Sequence, residues 1–405
     1  MGLFFRLSVI QRWRKKKRRR SQSLPEIPMV VVTKILTRLP SKTLMRFKCV
    51  SKLWSSLIHS PYLTSRFLTV PSQRIYICLS HYEDYRRSEI LSLAPCATSP
   101  SSSFVVDHDL TIQNRGGQIL QNLCGFMSHT FMKKPRMYNP TTRQLVAFPT
   151  IKLKPKTSAP DRSRWCYYFG HDPVNKQYKV LCSVGVPSMS SDHWVFDLKP
   201  GGSWKKVTLP PADFYPHLPL RQGLSLNGVI YYLAMIDWYN YVVVSFDIRS
   251  EEFKMIQIPL KEGDVRLHKA IEKVCLIEYG GKVTVFDHTD LEDKGTVNLW
   301  VLEDVRNKEW LGKTLVLQPC QLHLVKNVNL EVKGITQSGK VLMTPHYLFY
   351  NFYILCYDLQ SNDMRVIQIK GIPYLWRPKM GESLASRRFS VMFMDKSESV
   401  VYLKT

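Results

Sequence analysis

The chain has 405 residues, 57 Lys or Arg against 32 Asp or Glu, a formal net charge of +25, and 44% hydrophobic and 12% aromatic residues. That apolar content supplies a packed core and excludes global disorder, while no run of 18 uncharged apolar residues offers a membrane-spanning helix. Nine cysteines stand singly, with no CxxC pair, which fits reduced thiols in an intracellular compartment.

Residues 1–20 hold nine Lys or Arg and no acid. The charge follows the apolar residues instead of preceding them, the reverse of a signal peptide, and Arg6 breaks the myristoylation pattern. Residues 1–23 are therefore expected to be a basic disordered tail. "RWRKKKRRR" also has the composition of a nuclear-import tract, of a phosphate-contacting patch and, less well, of an organelle presequence.

Residues 24–68 read as several short helices. Val31, Ile35 and Leu39 repeat at helical spacing with Val32 and Leu36 beside them, and Pro28 suits a first turn because it lacks an N–H. Three consecutive valines are poor helix formers, so packing has to hold this helix. After Pro40, Ser41 can cap a second helix carrying Leu44, Phe47 and Val50, and Ser51 a third carrying Trp54, Leu57 and Ile58. Ser60-Pro61 reads as another helix start. About 45 residues seldom bury a dozen large apolar side chains, so the segment is either a cap on a following domain or half of an interface.

"LPEIPMVVVTKILTRLPSKTLMRFKCVSKLWSSLIHSPYLTSRFL" resembles an F-box, through Leu24-Pro25, Ile35-Leu36, "RLP" at Arg38–Pro40, Leu44, Arg46-Phe47, "CVSKLW" at Cys49–Trp54 and Leu57-Ile58. The resemblance implies docking on the Skp-type adaptor of a cullin–RING ubiquitin ligase. The residues it singles out for docking or module integrity are Leu24, Pro25, Ile35, Leu36, Leu39, Pro40, Leu44, Val50, Trp54 and Leu57. One departure is Lys34, at a surface position where the family usually carries an acid.

Residues 74–405 change to short β-type runs bounded by Gly, Asn, Asp and Pro. Turn-then-strand units start near Asn122, Asp172, Asn227, Gly280 and Ser338, at intervals of 50, 55, 53 and 58 residues. Each is followed by a strand, a polar turn and another strand, as in "MYNPTTRQLVAFP" and "VSFDIRSEEFKMIQIP". Sheet-sized units of this length predict a β-propeller, with a two-sheet sandwich as the alternative. Five units lie between about 117 and 372. Strands near both ends of the domain, paired in one mixed blade, would close a six-bladed ring and remove exposed edges. The expected fold class is thus mainly β with a small N-terminal α module. "YNPTTRQ", "FGHDPVNKQYKVLC", "NGVIYYLA", "FDIRSEEF" and "LWVLEDVRNKEW" resemble the kelch-like F-box-associated domain of plant F-box proteins, which implies a platform for a protein to be ubiquitinated.

Catalytic patterns are missing. "GLSLNG" misses the G-x-S-x-G elbow by one residue and reads as a turn; "GGKVT" and "SGKV" lack the spacing of a phosphate loop; the eleven histidines form no H-x-x-x-H pair. No cofactor, no metal and no enzymatic activity are expected. Trp194, Trp204, Trp300 and Trp310 are assigned to packing between blades. Residues 133–164 hold nine Lys or Arg against Asp161 alone, so Lys133, Lys134, Arg136, Lys152, Lys154 and Lys156 form a candidate patch for an acidic partner, or a solvated basic loop.

The expectation is a non-catalytic substrate receptor, with a Skp-type adaptor, through it a cullin, and a protein substrate as partners, no membrane partner, and a place in nucleus or cytoplasm. The alternatives are a nucleic-acid-associated propeller, which would use the basic tail and loop on phosphates, and an F-box protein acting outside the ligase.

Overall fold

The computed structural model describes residues 27–39, 41–60, 62–63, 75–81, 88–96, 103–113, 118–131, 134–151, 164–186, 190–207, 214–237, 240–259, 271–336, 338–345, 352–376, 389–395, 401 and 403. The chain divides into two compact units, residues 1–63 and 64–405. The expected boundary, between residues 68 and 74, lies outside the described residues, as do Leu24, Pro25 and Pro40.

In the first unit, helix α1 (Met29–Leu36) begins directly after Pro28, whose carbonyl accepts from the N–H groups of Val31 and Val32 at 2.8 and 3.2 Å. Proline here stands one position before the helix, where its extended backbone turns the chain into the first turn. Helix α2 (Ser41–Phe47) and helix α3 (Lys52–Ile58) follow. Ser51 caps α3 by accepting from the Trp54 N–H at 3.1 Å, and Ser60 accepts from the Leu63 N–H at 3.3 Å.

The second unit opens with strands β1 (Ile75–His81), β2 (Ser88–Pro95) and β3 (Ser103–Gln113). Four-stranded antiparallel sheets follow in chain order. The first is β4 (Gln118–Leu123), β5 (Phe126–Phe131), β6 (Lys134–Tyr138) and β7 (Leu145–Ala147). The second is β8 (Arg164–Asp172), β9 (Gln177–Val186), β10 (Ser190–Asp197) and β11 (Trp204–Val207). The third is β12 (Leu218–Leu226), β13 (Val229–Met235), β14 (Tyr241–Asp247) and β15 (Phe253–Gln257). The fourth is β16 (Val274–Tyr279), β17 (Lys282–Asp287), β18 (Thr296–Asp304) and β19 (Glu309–Val316). Last come β20 (Leu330–Ile335), β21 (Val341–Pro345), β22 (Tyr353–Asp358), β23 (Asp363–Lys370) and β24 (Phe389–Asp395).

The end strands share one eight-stranded sheet in the order β20-β21-β22-β23-β3-β2-β1-β24. Within it, β24 pairs antiparallel with β1 from Ile75↔Asp395 to His81↔Phe389, so the chain's last described strand lies beside the unit's first. Strand β3 joins β23 in a short parallel contact from Ser103↔Gln368 to Val105↔Lys370. Strand β3 was absent from the sequence expectation, because Asp107, His108 and Asp109 interrupt its apolar alternation.

Two kinds of turn repeat. Between first and second strands, both central residues take positive φ at Cys124-Gly125, Asn227-Gly228 and Gly280-Gly281, the geometry that two-residue hairpins demand. Between third and fourth strands, a side-chain carbonyl or carboxylate oxygen of Asn139, Asp247, Asp304 or Asp358 accepts from the N–H groups two and three residues on. Four residues after each stands a left-handed residue: Arg143, Glu251, Lys308 or Asn362. "YNPTTRQ" has a further task. Asn139 donates to the Val401 carbonyl at 3.1 Å, and Gln144 exchanges two hydrogen bonds with the Leu403 backbone, at 2.7 and 2.8 Å.

Core residues lie between successive sheets. Phe126, Phe148, Phe169 and Trp194 fill the gap between the β4–β7 and β8–β11 sheets; Tyr168, Tyr232 and Phe246 fill the next. Val243, Val285 and Leu302, then Phe286, Leu299 and Tyr357, then Leu91, Ile354 and Trp376 continue the series. Tyr76, Cys78, Met127 and Tyr138 return it to the β4–β7 sheet. The four tryptophans serve this packing. Trp194 and Trp204 belong to the first of these cores, Trp300 and Trp310 to the third. Trp204 also donates its ring N–H to the Pro149 carbonyl at 2.7 Å, and Trp310 to the Gln257 carbonyl at 2.9 Å, each tying an outer strand to the preceding sheet.

Candidate functional site

The helical unit carries two kinds of apolar residue. Leu36, Leu44, Ile58 and Leu63 are fully buried. Phe47 and Trp54 meet edge to face with ring centroids 5.1 Å apart, joining α2 to α3. Leu39, Trp54 and Leu57 are half-buried.

Others face solvent. Ile27, Met29, Val30, Val31, Ile35, Val50, Leu53 and Tyr62 are all exposed, from 44% at Val31 to 69% at Val30. Burying each fully would be worth about 1.5–3 kcal/mol, so this surface carries a standing cost in water. The adjacent pair Ile35 and Leu36 divides cleanly, 46% against 0% exposed. Of the residues singled out from sequence, Leu36 and Leu44 are thus core, Ile35 and Val50 surface, and Leu39, Trp54 and Leu57 intermediate.

Sequence reasoning missed Met29, Val30, Val31, Leu53 and Tyr62 as surface residues. The run of three valines was the available signal, since a helix of eight residues cannot turn three consecutive β-branched side chains inward. It also missed the charge pattern. Residues 27–63 hold six Lys or Arg and no acid, and Lys34, Arg38, Arg46 and Lys52 are exposed.

The candidate basic patch does not assemble among the described residues. Lys133, Lys152, Lys154 and Lys156 lie outside them. Lys134 is exposed on β6, while Arg136 is half-buried and pairs across the strands with buried His129.

Other chemistry-bearing groups are buried in the second unit. His193 and His217 stack with centroids 5.1 Å apart, and His217 shares a 2.9 Å hydrogen bond with the Tyr232 hydroxyl. Burial holds His193 well below the ordinary histidine range, with the His217 and Lys206 charges adding to it, and brings His217 down to about 4. His129 is likewise lowered to about 4, by burial and then by Arg136, and His288 to about 3, by burial and then by Lys273. Burial raises the thiols of Cys78, Cys182 and Cys275, which keeps them protonated and inert. No group of three His, Cys, Asp or Glu among the described residues is placed to hold a metal ion.

The family model for the F-box associated beta propeller domain matches residues 27–397, spanning both the helical surface and the sheets. This chain belongs to that family. F-box relatives occur in Arabidopsis thaliana. The F-box protein At2g40925 is 43% identical over 393 residues, covering 94% of each chain. The F-box/kelch-repeat protein At4g19930 is 39% identical over 435 residues, covering 98% of this chain and 95% of its own. Among solved structures, TolB from Acinetobacter baumannii superimposes with a TM-score of 0.42 at 9% identity, covering 79% of this chain and 70% of that one. This is a plant F-box protein, with a short helical module followed by a β-propeller.

Proposed function

We propose that the protein is a non-catalytic substrate-recognition subunit of a Skp–cullin–F-box ubiquitin ligase. The observation that carries this reading is the helical surface formed by Ile27, Met29, Val30, Val31, Ile35, Val50, Leu53 and Tyr62, left to water while Leu36, Leu44, Ile58 and Leu63 form the module's interior. Such a surface fits the groove of a Skp-type adaptor, with exposed side chains as anchors and cationic neighbours as rim. In this reading the adaptor links the chain to a cullin, and the propeller holds a target protein. Catalysis is by proximity: the assembly raises the effective concentration of target lysines near activated ubiquitin, and the bond-making groups lie on other subunits.

The eight-stranded sheet is taken as two blades joined by the parallel β23–β3 contact, which with the four separate sheets gives six. Nucleus and cytoplasm are the proposed compartments.

Co-purification of the tagged full chain tests the assignment. The wild type should recover adaptor and cullin, and Ile35→Asp/Leu53→Asp should lose both while its thermal melting is unchanged. Equal recovery of both partners by the double variant would overturn the assignment. Recovery of adaptor without cullin would place the protein outside the ligase.

A further inference from the structure

The fourth strands of the propeller sheets stand at the rim, since the first strands β4, β8, β12 and β16 pack on one another. Rim strands β7, β11 and β15 have three, four and five residues. Strand β23 has eight but is met by β3 on its outer side. Strand β19 also has eight, Glu309–Val316, and no described strand lies beyond it. A long open edge is a template for pairing, and proteins blunt such edges with shortness, bulges or proline. Strand β19 has no proline, and its register with β18 is continuous from Trp310 to Val316.

Two hydrogen bonds fix which groups this edge offers. Leu317 donates its N–H to the Gly295 carbonyl at 2.8 Å, on the β18 side, whereas the Val316 carbonyl accepts from the Asn362 side chain at 2.7 Å. Backbone groups alternate along an antiparallel strand, so Trp310, Gly312 and Thr314 turn their N–H and C=O away from β18. One face of the strand is engaged within the propeller. There Trp310 bonds the Gln257 carbonyl, Thr314 bonds Asn298, and a Cβ added to Gly312 would come within 2.8 Å of the Trp300 ring. The other face carries Glu309, Leu311 and Lys313, all exposed. Leu311 is 56% exposed, and neither charged residue has an ion pair among the described residues.

This edge is complementary to itself. Laid antiparallel on a second copy about Leu311, the strand sets each Glu309 opposite Lys313 of the other copy and Leu311 opposite Leu311. Trp310 then meets Gly312 of the other copy, and both turn their backbone groups to the seam, giving about four ladder hydrogen bonds. Leu311 falls in a non-hydrogen-bonded pair, where side chains approach most closely. Sliding by two residues, the smallest slip that keeps the backbone pairing, sets Leu311 against Glu309 or Lys313 instead. Charge, apolar contact and backbone parity therefore agree in one register. The relation is two-fold and closed, so pairing stops at two chains.

We infer that β19 is a homodimerisation edge, through which two copies of this chain join antiparallel about Leu311. This association is independent of adaptor docking. One edge pairing buries less surface than a permanent interface, so the expected dissociation constant is about 10–100 μM.

Sedimentation equilibrium of the full chain from about 2 to about 200 μM tests this, repeated with Ile35→Asp/Leu53→Asp to remove any association through the helical surface. Both should show a monomer–dimer equilibrium. Glu309→Lys and Lys313→Glu each oppose like charges twice across the axis, and each should weaken the dimer about tenfold. Mixing these two variants should restore a dimer, because each chain supplies the charge the other lacks, and Glu309→Lys/Lys313→Glu should dimerise by itself within about threefold of the parent. Unchanged circular dichroism and melting show that each variant is folded. A chain that stays monomeric at about 200 μM would overturn the inference and leave the edge to a strand of another polypeptide. Equal dimerisation by parent and single variants, or no recovery on mixing, would overturn it as well by assigning the dimer to a different surface.

Discussion

The two units of this F-box protein treat apolar surface and charge in opposite ways. In the propeller unit, most aromatic and branched residues are packed between sheets, with Val174, Tyr215, Leu311, Val316 and Tyr374 left exposed, buried polar side chains such as Gln121 and Glu89 bond to neighbouring strands or rings, and lysines such as Lys179 and Lys273 are paired with carboxylates. Among its described residues, the helical unit leaves eight large apolar side chains and four cations without an ion pair in water. It has the surface of a part whose energetics close only on association, and the difference shows why a composition averaged over the chain says so little about its partners.

The sharpest way to break this comparison is to exchange the roles of two neighbouring residues. Leu36→Asp places a carboxylate at a fully buried position, with no buried cation among the described residues of its unit to meet it, and should cost about 4 kcal/mol or more, enough to unfold a module this small. Ile35→Asp, one residue earlier and 46% exposed, should leave helical circular dichroism intact within about 0.5 kcal/mol and remove partner binding. If both variants behave alike, the division of α1 into an inner and an outer face is wrong.

Acidification probes the other side. His217 and His129, lowered to about 4, and His288, lowered to about 3, are held neutral by burial, whereas an unfolded histidine titrates near 6.5. Between those values the unfolded chain binds more protons than the folded one, so stability rises with pH there. Their stabilising contribution is complete above about pH 6.5 and is lost as pH falls towards 4, by as much as about 3 kcal/mol for His217. The one histidine of the helical unit, His59, is exposed. Melting followed by near-ultraviolet circular dichroism should fall steeply between pH 6.5 and 4 for the propeller, and His217→Gln should flatten the slope. An equal slope in the variant would show that His217 does not carry it.

The sequence made the larger features readable for identifiable reasons. Asn227-Gly228 and Gly280-Gly281 announce two-residue hairpins because few residues tolerate positive φ, and Asp247, Asp304 and Asp358 announce the second turn because a short carboxylate can bond two N–H groups ahead of it. Local chemistry of that kind survives in a string of letters. The pairing of β3 with β23 does not, since it joins residues over 260 positions apart through backbone groups that any side chain permits. The inner and outer faces of the helical unit were only half legible. Val31, Ile35 and Leu39 share a helical stripe, and spacing alone cannot say that the stripe beside them, at Leu36, is the one turned inward.

A smaller effect tests how the sheets are tied to each other. Trp204 and Trp310 occupy matching places on outer strands, and each donates its ring N–H to a backbone carbonyl of the preceding sheet. Trp310→Phe keeps most of the packing and removes the donor, leaving the Gln257 carbonyl to water at the rim. The expected loss is about 1 kcal/mol, a fall of about 2–4 °C in melting temperature, with the same result for Trp204→Phe. A change confined to one of the two would mean that the repeated contact is not an equivalent device in both places.

The smallest expected effect has the opposite sign. Lys308 adopts φ 57 in the turn after Asp304, where the matching residues are Arg143, Glu251 and Asn362, and it makes no ion pair among the described residues. A side chain in this left-handed region costs about 1 kcal/mol relative to glycine, against which glycine brings greater freedom to the unfolded chain. Lys308→Gly should therefore stabilise the propeller unit by about 0.5 kcal/mol, read as a rise of about 1–2 °C. Glu251→Gly shares the backbone geometry but also removes the ion pair to Lys179, a lysine that is itself buried, and should destabilise. The two glycines thus separate a turn kept only for its backbone shape from one that also holds a charge in the sheet. If both variants shifted melting in the same direction, the paired charges of the propeller would not be the structural feature that sets it apart from the helical unit.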